Sequence, residues 1–313
     1  MTCVRAWPTA MPGPASMMFD RSALQQRVWP VLVVLAALVL LWYAGAVALN
    51  APGAIERVLA PRSADGHYTA AELITTTLNM QRPVLPAPHQ VVADLWHSLA
   101  DWPLTSPRNL IYHAAVTAQS TLLGFVLGTL LGMILAGAIV HSRTLDRALL
   151  PWIVASQTVP VLAIAPIVLV ILGSLGFSGV APKATIAMYL CFFPVTVAMV
   201  QGLRAPQRFE TELMHTYAAS RWQAFWLLRM PSALPFLFPS LRVAIAAAVV
   251  GAMVAELPTG AQAGLGARLL TGSYYGNTVG IWSALVMSAL LGLGLTSAVA
   301  GLERLVLRRG RNT

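Results

Sequence analysis

Charged residues are scarce in this sequence. They make up 10% of its 313 residues, against about a quarter in ordinary soluble domains, while 57% of the residues are hydrophobic. A soluble chain of this length would need a charged surface around one or two cores, and too little charge is present to cover one. The composition therefore excludes an ordinary soluble protein and indicates that the solvent is lipid.

Cysteine and lysine are nearly absent as well. The two cysteines, Cys3 and Cys191, lie far apart and form neither a disulfide framework nor a metal site. The single lysine, Lys183 in "APKAT", lacks the flanking glycines and hydroxyl of a phosphate-binding loop. Without a phosphate-binding loop the chain is not expected to hydrolyse ATP itself, so we expect that it is not an enzyme and that it holds no cofactor or metal ion.

Long apolar runs fill much of the chain. A spanning segment needs roughly 20 mostly apolar residues, and it is expected to be helical because backbone groups in hydrocarbon must bond within the segment. The runs cover residues 28–50, 110–140, 149–173, 182–203, 233–257 and 279–301. The first run is longer than the apolar part of a signal peptide, about 7–15 residues, and is interpreted as a retained helix. We predict an all-α membrane protein with about six transmembrane helices.

The basic residues predict the orientation. With the N-terminus inside, 14 of the 20 Lys and Arg residues fall in cytoplasmic pieces, whereas the acids divide almost evenly. Because Lys and Arg concentrate in cytoplasmic loops, both termini are predicted to be cytoplasmic. These charges flank apolar spans and form no patch for nucleic acid. The predicted division is a tail (1–27), a first helix (28–50), a periplasmic segment (51–109), a five-helix core (110–301) and a basic tail (302–313).

The periplasmic segment contains one further helical pattern. Val91, Leu95, Leu99 and Trp102 recur at helical spacing on one face. This predicts a short amphipathic helix. Two placements are open: the helix lies on the membrane surface, or it packs on the chain's own bundle.

A long cytoplasmic loop, residues 204–232, carries the main functional signal. A purely structural connection needs only a few residues, whereas this loop mixes helix formers with large aromatics and ends in a string of prolines. The pattern predicts two short helices bent near "AAS". The exposed aromatics indicate a partner surface that buries them, and the alternative is an interfacial helix with Trp as membrane anchor.

This loop resembles the cytoplasmic "EAA" motif of permease subunits in binding-protein-dependent ATP-binding-cassette (ABC) importers. The motif reads E-A-A, three residues, G, nine residues, then I-x-L-P, and every spacing is kept here. The glutamate and the proline match, and alanine stands at the glycine position. The resemblance implies that the following residues couple the chain to an ATPase: Glu212, Leu213, Met214, Ala218, Ala219, Ser220, Leu228, Met230 and Pro231.

The resemblance extends over roughly residues 84–301. Stretches such as "TVPVLAIAPIVLVILG" and "VVGAMVAELPTGAQAGLGARLL" are similar to the nitrate/sulfonate/taurine branch of these permeases. The resemblance implies the type I ABC importer permease fold in a bacterial inner membrane. It also implies two ABC ATPase subunits per complex, a second permease (the same chain or a different one) and a periplasmic substrate-binding protein. By analogy, the solute is a sulfonate, nitrate, or a vitamin or pyrimidine precursor.

Four span residues are candidates for the translocation pathway. Ser156, Gln157 and Thr158 precede Pro160, where the missing backbone donor is expected to kink the third span. Gln157 is costly to expose to lipid, so we expect it to face the bundle, as helix–helix contact or as pore lining. Glu256, near the outer end of the fifth span, is interpreted either as an outer-gate residue or as the partner of an arginine.

Two other classes of protein are kept as alternatives to an importer. An ion-coupled carrier usually places acids or histidines within its spans, and here Glu256 is the one acid near a span interior. A membrane scaffold without a pore would use the aromatic loop only to recruit a partner.

Overall fold

A computed structural model describes residues 21–59, 68–258 and 263–309. Parts of the predicted N-terminal tail (1–20), of the periplasmic segment (60–67) and of the basic tail (310–313) lie outside the described residues. The described residues form helices and connecting turns, without a strand. The helices are α1 (Arg21–Ala54), α2 (Ala70–Leu78), α3 (Pro88–Ala100), α4 (Leu110–His141), α5 (Arg143–Ser156), α6 (Val161–Ser174), α7 (Val180–Leu203), α8 (Arg208–Thr216), α9 (Arg221–Ala224), α10 (Met230–Glu256), α11 (Leu265–Tyr275) and α12 (Thr278–Arg309).

Five helical stretches in the described part of the chain are long and apolar enough to cross a membrane. They are Trp29–Leu59, Leu110–His141, Val180–Leu203, Arg221–Glu256 and Thr278–Val306. The fourth of these includes π-helical turns at Phe225–Arg229, which join α9 to α10. Helices α5 and α6 together qualify as a sixth, broken span. The prediction of an all-α protein with about six spans is confirmed.

The third predicted run, 149–173, is not one continuous helix. Its two halves, α5 and α6, are bent by 103° across the residues between them. Pro160 precedes α6 in an extended conformation, and proline has no N–H with which to continue the hydrogen bonds of α5. The predicted kink is therefore a complete break between two short helices.

The centre of the fold is a close contact between α4 and α7. Three glycines of α4 face α7 at intervals of four residues. A Cβ atom at Gly124 would lie 2.5 Å from the Cβ of Ala187, and one at Gly128 would lie 2.9 Å from the Cβ of Cys191. At Gly132 it would lie 2.9 Å from the backbone of α7. The small residues let the two helices approach closely, which is a common way of packing spans in lipid.

These contacts also fix the direction of the helices. Because later residues of α4 meet later residues of α7, the two helices run parallel. Helix α10 runs antiparallel to them, since Gly251 near its end approaches Ala187 while Ala233 near its start approaches Gly202. The starts of α4 and α7 therefore lie at the same end of the bundle as the end of α10. We call this the cluster end, and the opposite end, which carries residues 208–229, the loop end.

The segment before α3 is fastened to α1 by a buried asparagine. The side-chain oxygen of Asn50 accepts from the backbone N–H groups of Val84 and Leu85 at 2.7 and 3.2 Å, and its amide donates to the carbonyl of Leu85 at 2.8 Å. Asn50 is 1% exposed. These bonds hold the chain that leads into α3 against the first span.

Helix α3 packs on its own chain, in agreement with one of its two predicted placements. Val91 is buried, and Leu95 and Leu99 pack against a small core at the cluster end. The members of that core are Leu110, Ala114, Leu265 and Ala284. Trp102 lies beyond the end of α3, where the Arg108 guanidinium stands 4.4 Å from the centre of its ring.

Candidate functional site

The loop end carries a sharp turn between α8 and α9. Ala218 has a φ of 51°, in the left-handed region that glycine favours. The N–H of Ala218 donates to the carbonyl of His215 at 2.9 Å, and the N–H of Ala219 donates to the carbonyl of Met214 at 3.0 Å. This pair of bonds is the Schellman motif that ends many helices, usually with glycine at the left-handed position. The bend predicted near "AAS" is present, and alanine adopts the glycine conformation.

The next helix starts immediately after that turn. The hydroxyl of Ser220 accepts from the N–H of Gln223 at 3.2 Å, while the N–H of Ser220 donates to the side-chain oxygen of Gln223 at 2.8 Å. This reciprocal arrangement is a capping box, and it fixes the first residue of α9. Two local motifs therefore define the bend, and neither needs contact with the rest of the protein.

The aromatic side chains of the loop end are largely uncovered. None of the residues in α8, α9 or the π-helical turns is buried in this chain. Phe209, Tyr217 and Trp222 are 71%, 77% and 65% exposed. Large exposed aromatic side chains on a polar, turned segment are typical of an interaction site.

An aromatic contact connects the loop to the end of α4. The ring of Phe225 lies 5.0 Å from that of His141 at the end of α4, and it also packs against Trp222 and Trp226. Glu212 lies on the exposed face of α8, where its carboxylate accepts from Arg208 at 2.8 Å. Leu228 and Met230 are half-buried where the loop enters α10, and Pro231 is exposed.

The cluster end is built in the opposite way, around a fully buried carboxylate. The side chain of Glu256 accepts from the hydroxyl of Thr117 at 3.0 Å and from the N–H of Gly266 at 2.9 Å. The ammonium of Lys183 lies 3.5 Å from one of its oxygens. Glu256 was expected to pair with an arginine if its role is structural. That expectation is wrong, because its cation is the lysine.

Thr117 and His113 extend this cluster to the start of α11. The Thr117 oxygen accepts from the N–H of Leu265 at 2.9 Å, and His113 Nδ1 accepts from the N–H of Gly264 at 3.0 Å. Because Nδ1 is an acceptor, the proton belongs on Nε2, which donates to the carbonyl of Pro107 at 2.7 Å. Side chains of α4 and α10 thus satisfy the N–H groups that the first turn of α11 leaves unpaired.

Two glycines make this packing possible. Gly264 has a φ of 130°, and a Cβ atom there would lie 2.2 Å from the carboxyl carbon of Glu256. A Cβ atom at Gly266 would lie 2.3 Å from the backbone oxygen of Met253. Any larger residue at either position would collide with the carboxylate or with α10. The turn into α11 is therefore fitted around Glu256.

The four residues predicted for the pathway do not lie together. Ser156, Gln157 and Thr158 form the break between α5 and α6, where the carbonyl of Ser156 accepts from the hydroxyl of Tyr189. Gln157 and Thr158 are exposed on this chain. Glu256 lies apart from them, in the buried cluster. Their role in transport remains a prediction.

Three residues of the cluster were missed from the sequence: His113, Thr117 and Lys183. One signal was available for the lysine. The lysine is a single cation near the start of one apolar span, and Glu256 is a single acid at the end of another. A helical bundle can bury two such charges only when they pair with each other. No comparable signal distinguishes Thr117 from the other hydroxyl residues of the spans.

The fold is that of an integral membrane protein with several spanning helices, and its loop end leaves large aromatic side chains exposed. Residues 128–311 match the family described as "binding-protein-dependent transport system inner membrane component". That range is more than half of the chain, and the chain belongs to this family. It has the type I permease fold and is the multi-pass inner-membrane permease subunit of an ABC importer.

Similar proteins include permeases of several transport systems. The formylaminopyrimidine transport permease protein ThiX of Halalkalibacterium halodurans is 34% identical over 229 residues, which are 72% of this chain and 85% of that one. The riboflavin transport system permease protein RibX of Chloroflexus aurantiacus is 32% identical over 225 residues, or 72% and 80% of the two chains. SsuC of Bacillus subtilis, whose name refers to aliphatic sulfonates, is 27% identical over 225 residues, or 72% and 78%.

These similarities confirm the predicted importer permease and its place in the nitrate/sulfonate/taurine branch. The ion-coupled carrier and the scaffold without a pore are accordingly not retained. Membership of a binding-protein-dependent family also implies ATPase and substrate-binding-protein partners.

Proposed function

We propose that residues 208–231 are the coupling element of this importer and that they bind a separate ATPase subunit. The observation that supports this most directly is the turned, wholly unburied segment with its exposed aromatic residues. A surface that is both apolar and well defined by local caps suits a cleft on a soluble partner. In this proposal the loop end and both termini are cytoplasmic, and the core is 110–301 with its coupling loop at 204–232.

The full complex in this proposal contains two ATPase subunits and a pore formed by this chain with a second permease. ATP is hydrolysed on the ATPase subunits, and a periplasmic binding protein delivers the solute to the cluster end. The solute is a small molecule of the classes carried by the relatives, such as a sulfonate or a vitamin or pyrimidine precursor. The pathway includes Ser156, Gln157, Thr158 and Glu256.

Movement of the loop reaches the spans through two connections. Phe225 contacts His141 at the end of α4, and the π-helical turns Phe225–Arg229 lead directly into α10. Helix α10 ends at Glu256, in the cluster at the far end of the bundle. Closure of the ATPase subunits would therefore rock α4 and α10 together and open the pathway alternately to each side.

A matched pair of tyrosines tests the coupling assignment. Tyr217 at the loop end and Tyr274 at the cluster end are 77% and 80% exposed. The complex is purified in mild detergent from native membranes, and the ATPase recovered with the permease is quantified. We expect Tyr217→Ala to reduce that recovery roughly tenfold, as is common for an aromatic anchor at an interface. Tyr274→Ala should leave the recovery unchanged.

Two results would count against the proposal. One is equal ATPase recovery with both variants, which would place the ATPase contact elsewhere. The other is the absence of any nucleotide-binding subunit from the intact wild-type complex, which would remove the coupling role altogether.

A further inference from the structure

A cavity of about 690 Å³ adjoins the buried cluster. It lies between the starts of α4 and α7 and the end of α6, and Ala263 of the turn before α11 also forms part of its wall. Its volume falls within the roughly 300–1,000 Å³ of ordinary small-molecule sites. The cavity is therefore large enough for a small organic solute.

One wall of the cavity is a polar face of α4. Tyr112, Val116 and Gln119 line it, and their spacing of four and three residues places them on one side of the helix. Gln119 is exposed in this chain. An amide that faced hydrocarbon without a partner would cost several kcal/mol, so this face is expected to meet water or polar groups of the transport complex.

The charge of the cavity wall is supplied by Lys183. Among the described residues that line the cavity, it is the one charged side chain. Glu256 does not reach the cavity, because it is 0% exposed behind the lysine. The buried ion pair thus presents its positive end to the cavity.

The ammonium group also keeps hydrogen-bonding capacity. A lysine ammonium has three donors. One donates to the carbonyl of Ala263 at 3.0 Å and a second is directed at Glu256, 3.5 Å away. Among the described residues the third has no acceptor. Lys183 is 8% exposed, so this donor is held in a fixed position at the cavity surface.

We propose that this cavity is a solute site in the outer part of the pathway and that Lys183 receives an oxygen acceptor of the solute. The solute is a small organic molecule with a carboxylate, sulfonate or carbonyl oxygen at one end and an apolar body that packs against Tyr112 and Phe177. This inference rests on the proposed function, since it assigns a place and a chemistry to the transported solute.

Cysteine labelling in native membranes that contain the full complex tests the site. In a background of Cys3→Ser and Cys191→Ala, Gln119→Cys places a thiol on the cavity wall, and Leu40→Cys places one on the exposed apolar face of α1. Three methanethiosulfonate probes are compared, carrying an ethylsulfonate, a hydroxyethyl or a trimethylammonium group. Each rate is divided by the rate of the same probe with free mercaptoethanol.

We expect the sulfonate probe to label Gln119→Cys about tenfold faster than the cationic probe, because a positive group in the cavity wall concentrates anions. Leu40→Cys should react with none of them. A hydroxyethyl rate between those of the other two probes would show that the charge of the probe sets the rate, whereas a hydroxyethyl rate equal to the sulfonate rate would contradict the positive potential assigned to Lys183. Equal rates for the sulfonate and cationic probes, or no labelling of Gln119→Cys, would overturn the proposal.

Two further variants separate the role of Lys183 from a loss of folding. Glu256→Gln keeps the ammonium and should raise the preference for the anionic probe. The double variant Lys183→Met/Glu256→Gln removes both charges without burying one alone, and it should abolish the preference. Retention of the preference in the double variant would contradict the assignment to Lys183.

The labelling result is independent of ATPase coupling. Tyr217→Ala in the same background tests this, because it should lose the ATPase while the cavity keeps its probe preference. Failure of the coupling experiment therefore removes the proposed function, whereas failure of the labelling experiment removes only the solute site.

Discussion

An ion pair at the loop end and one at the cluster end lie in opposite surroundings. At the loop end, Arg208 and Glu212 approach to 2.8 Å with side chains that are 92% and 61% exposed. At the cluster end, Lys183 and Glu256 are 3.5 Å apart with side chains that are 10% and 0% exposed. The shorter pair is screened by water and contributes little, whereas breaking the longer pair would strand a charge in a dry interior. The distance between the charged groups alone therefore does not show which pair contributes more to stability.

The same contrast applies to the surfaces around the pairs. The cluster end satisfies the Glu256 carboxylate and the first N–H groups of α11 within the chain, and it is fitted around two glycines. The loop end is shaped by local caps and leaves its aromatic residues uncovered. We infer that the cluster end contributes to folding stability and that the loop end contributes to binding.

The largest expected effect is on the buried pair. Lys183→Met should lower the free energy of unfolding by about 3–5 kcal/mol, because Glu256 loses its cation while it stays buried. Arg208→Met, which breaks the exposed pair, should leave stability unchanged. Thermal unfolding of the purified complex in detergent measures both. The double variant Lys183→Met/Glu256→Gln should recover most of the lost free energy of unfolding. If the double variant is as unstable as Lys183→Met, the loss comes from packing and not from charge.

A loss of folding stability is also expected when the glycine beside Glu256 is replaced. Gly264→Ala should destabilise the chain by about 3 kcal/mol, from collision with the Glu256 carboxylate together with an unfavourable φ. Gly276→Ala is the control, since Gly276 has a φ of 65° but nothing within 4 Å of the added Cβ. It should show only the conformational cost of about 1 kcal/mol. If thermal unfolding shows equal losses of stability for Gly264→Ala and Gly276→Ala, movement of the turn relieves the collision with Glu256.

At the loop end the expected effect is on binding and not on folding. Trp222→Ala should weaken ATPase binding by about 1–2 kcal/mol while thermal stability changes little, because Trp222 is 65% exposed before the partner binds. Trp96→Ala, at an equally open position on α3, is the control and should change neither quantity. If Trp222 is instead a membrane anchor, its loss should reduce membrane retention and leave ATPase affinity intact.

The smallest effect concerns the turn itself. Ala218→Gly should stabilise the bend by about 1 kcal/mol, because glycine adopts a φ of 51° without the steric cost that alanine carries. Slower amide hydrogen exchange of Ala218 and Ala219 would report this. Ala218→Val should act in the opposite direction, and faster exchange in the glycine variant would show that flexibility outweighs the relief of strain.

Much of the loop could be predicted from the sequence. The pattern of helix formers followed by large aromatics predicted a bend near "AAS", and the structure has it at Ala218–Ser220, because helix caps depend on residues that are neighbours along the chain. Alanine at the glycine position was the visible departure, and the fold accommodates it as left-handed backbone. What the sequence cannot supply is how much of the aromatic surface the rest of the chain covers.

The cluster was predictable only in part. Glu256 was identified as unusual because an acid near a span interior is rare. Its actual cation, Lys183, and its hydrogen-bond donor, Thr117, lie on two other helices. Their meeting depends on the parallel packing of α4 on α7 through the glycines of α4, a three-dimensional relation without a local pattern. The 103° break between α5 and α6 also exceeded the kink expected from Pro160.

The sequence by itself therefore determined the solvent, the number of spans and the turned loop. These three features depend on short stretches of the chain, through their hydrophobicity or through the capping of their own helices. The tertiary structure alone decided which polar groups are buried together, how the cavity beside Lys183 is lined and which face of the loop stays open. Those features depend on contacts between segments far apart in the chain, and only the packing of the helices brings such segments together.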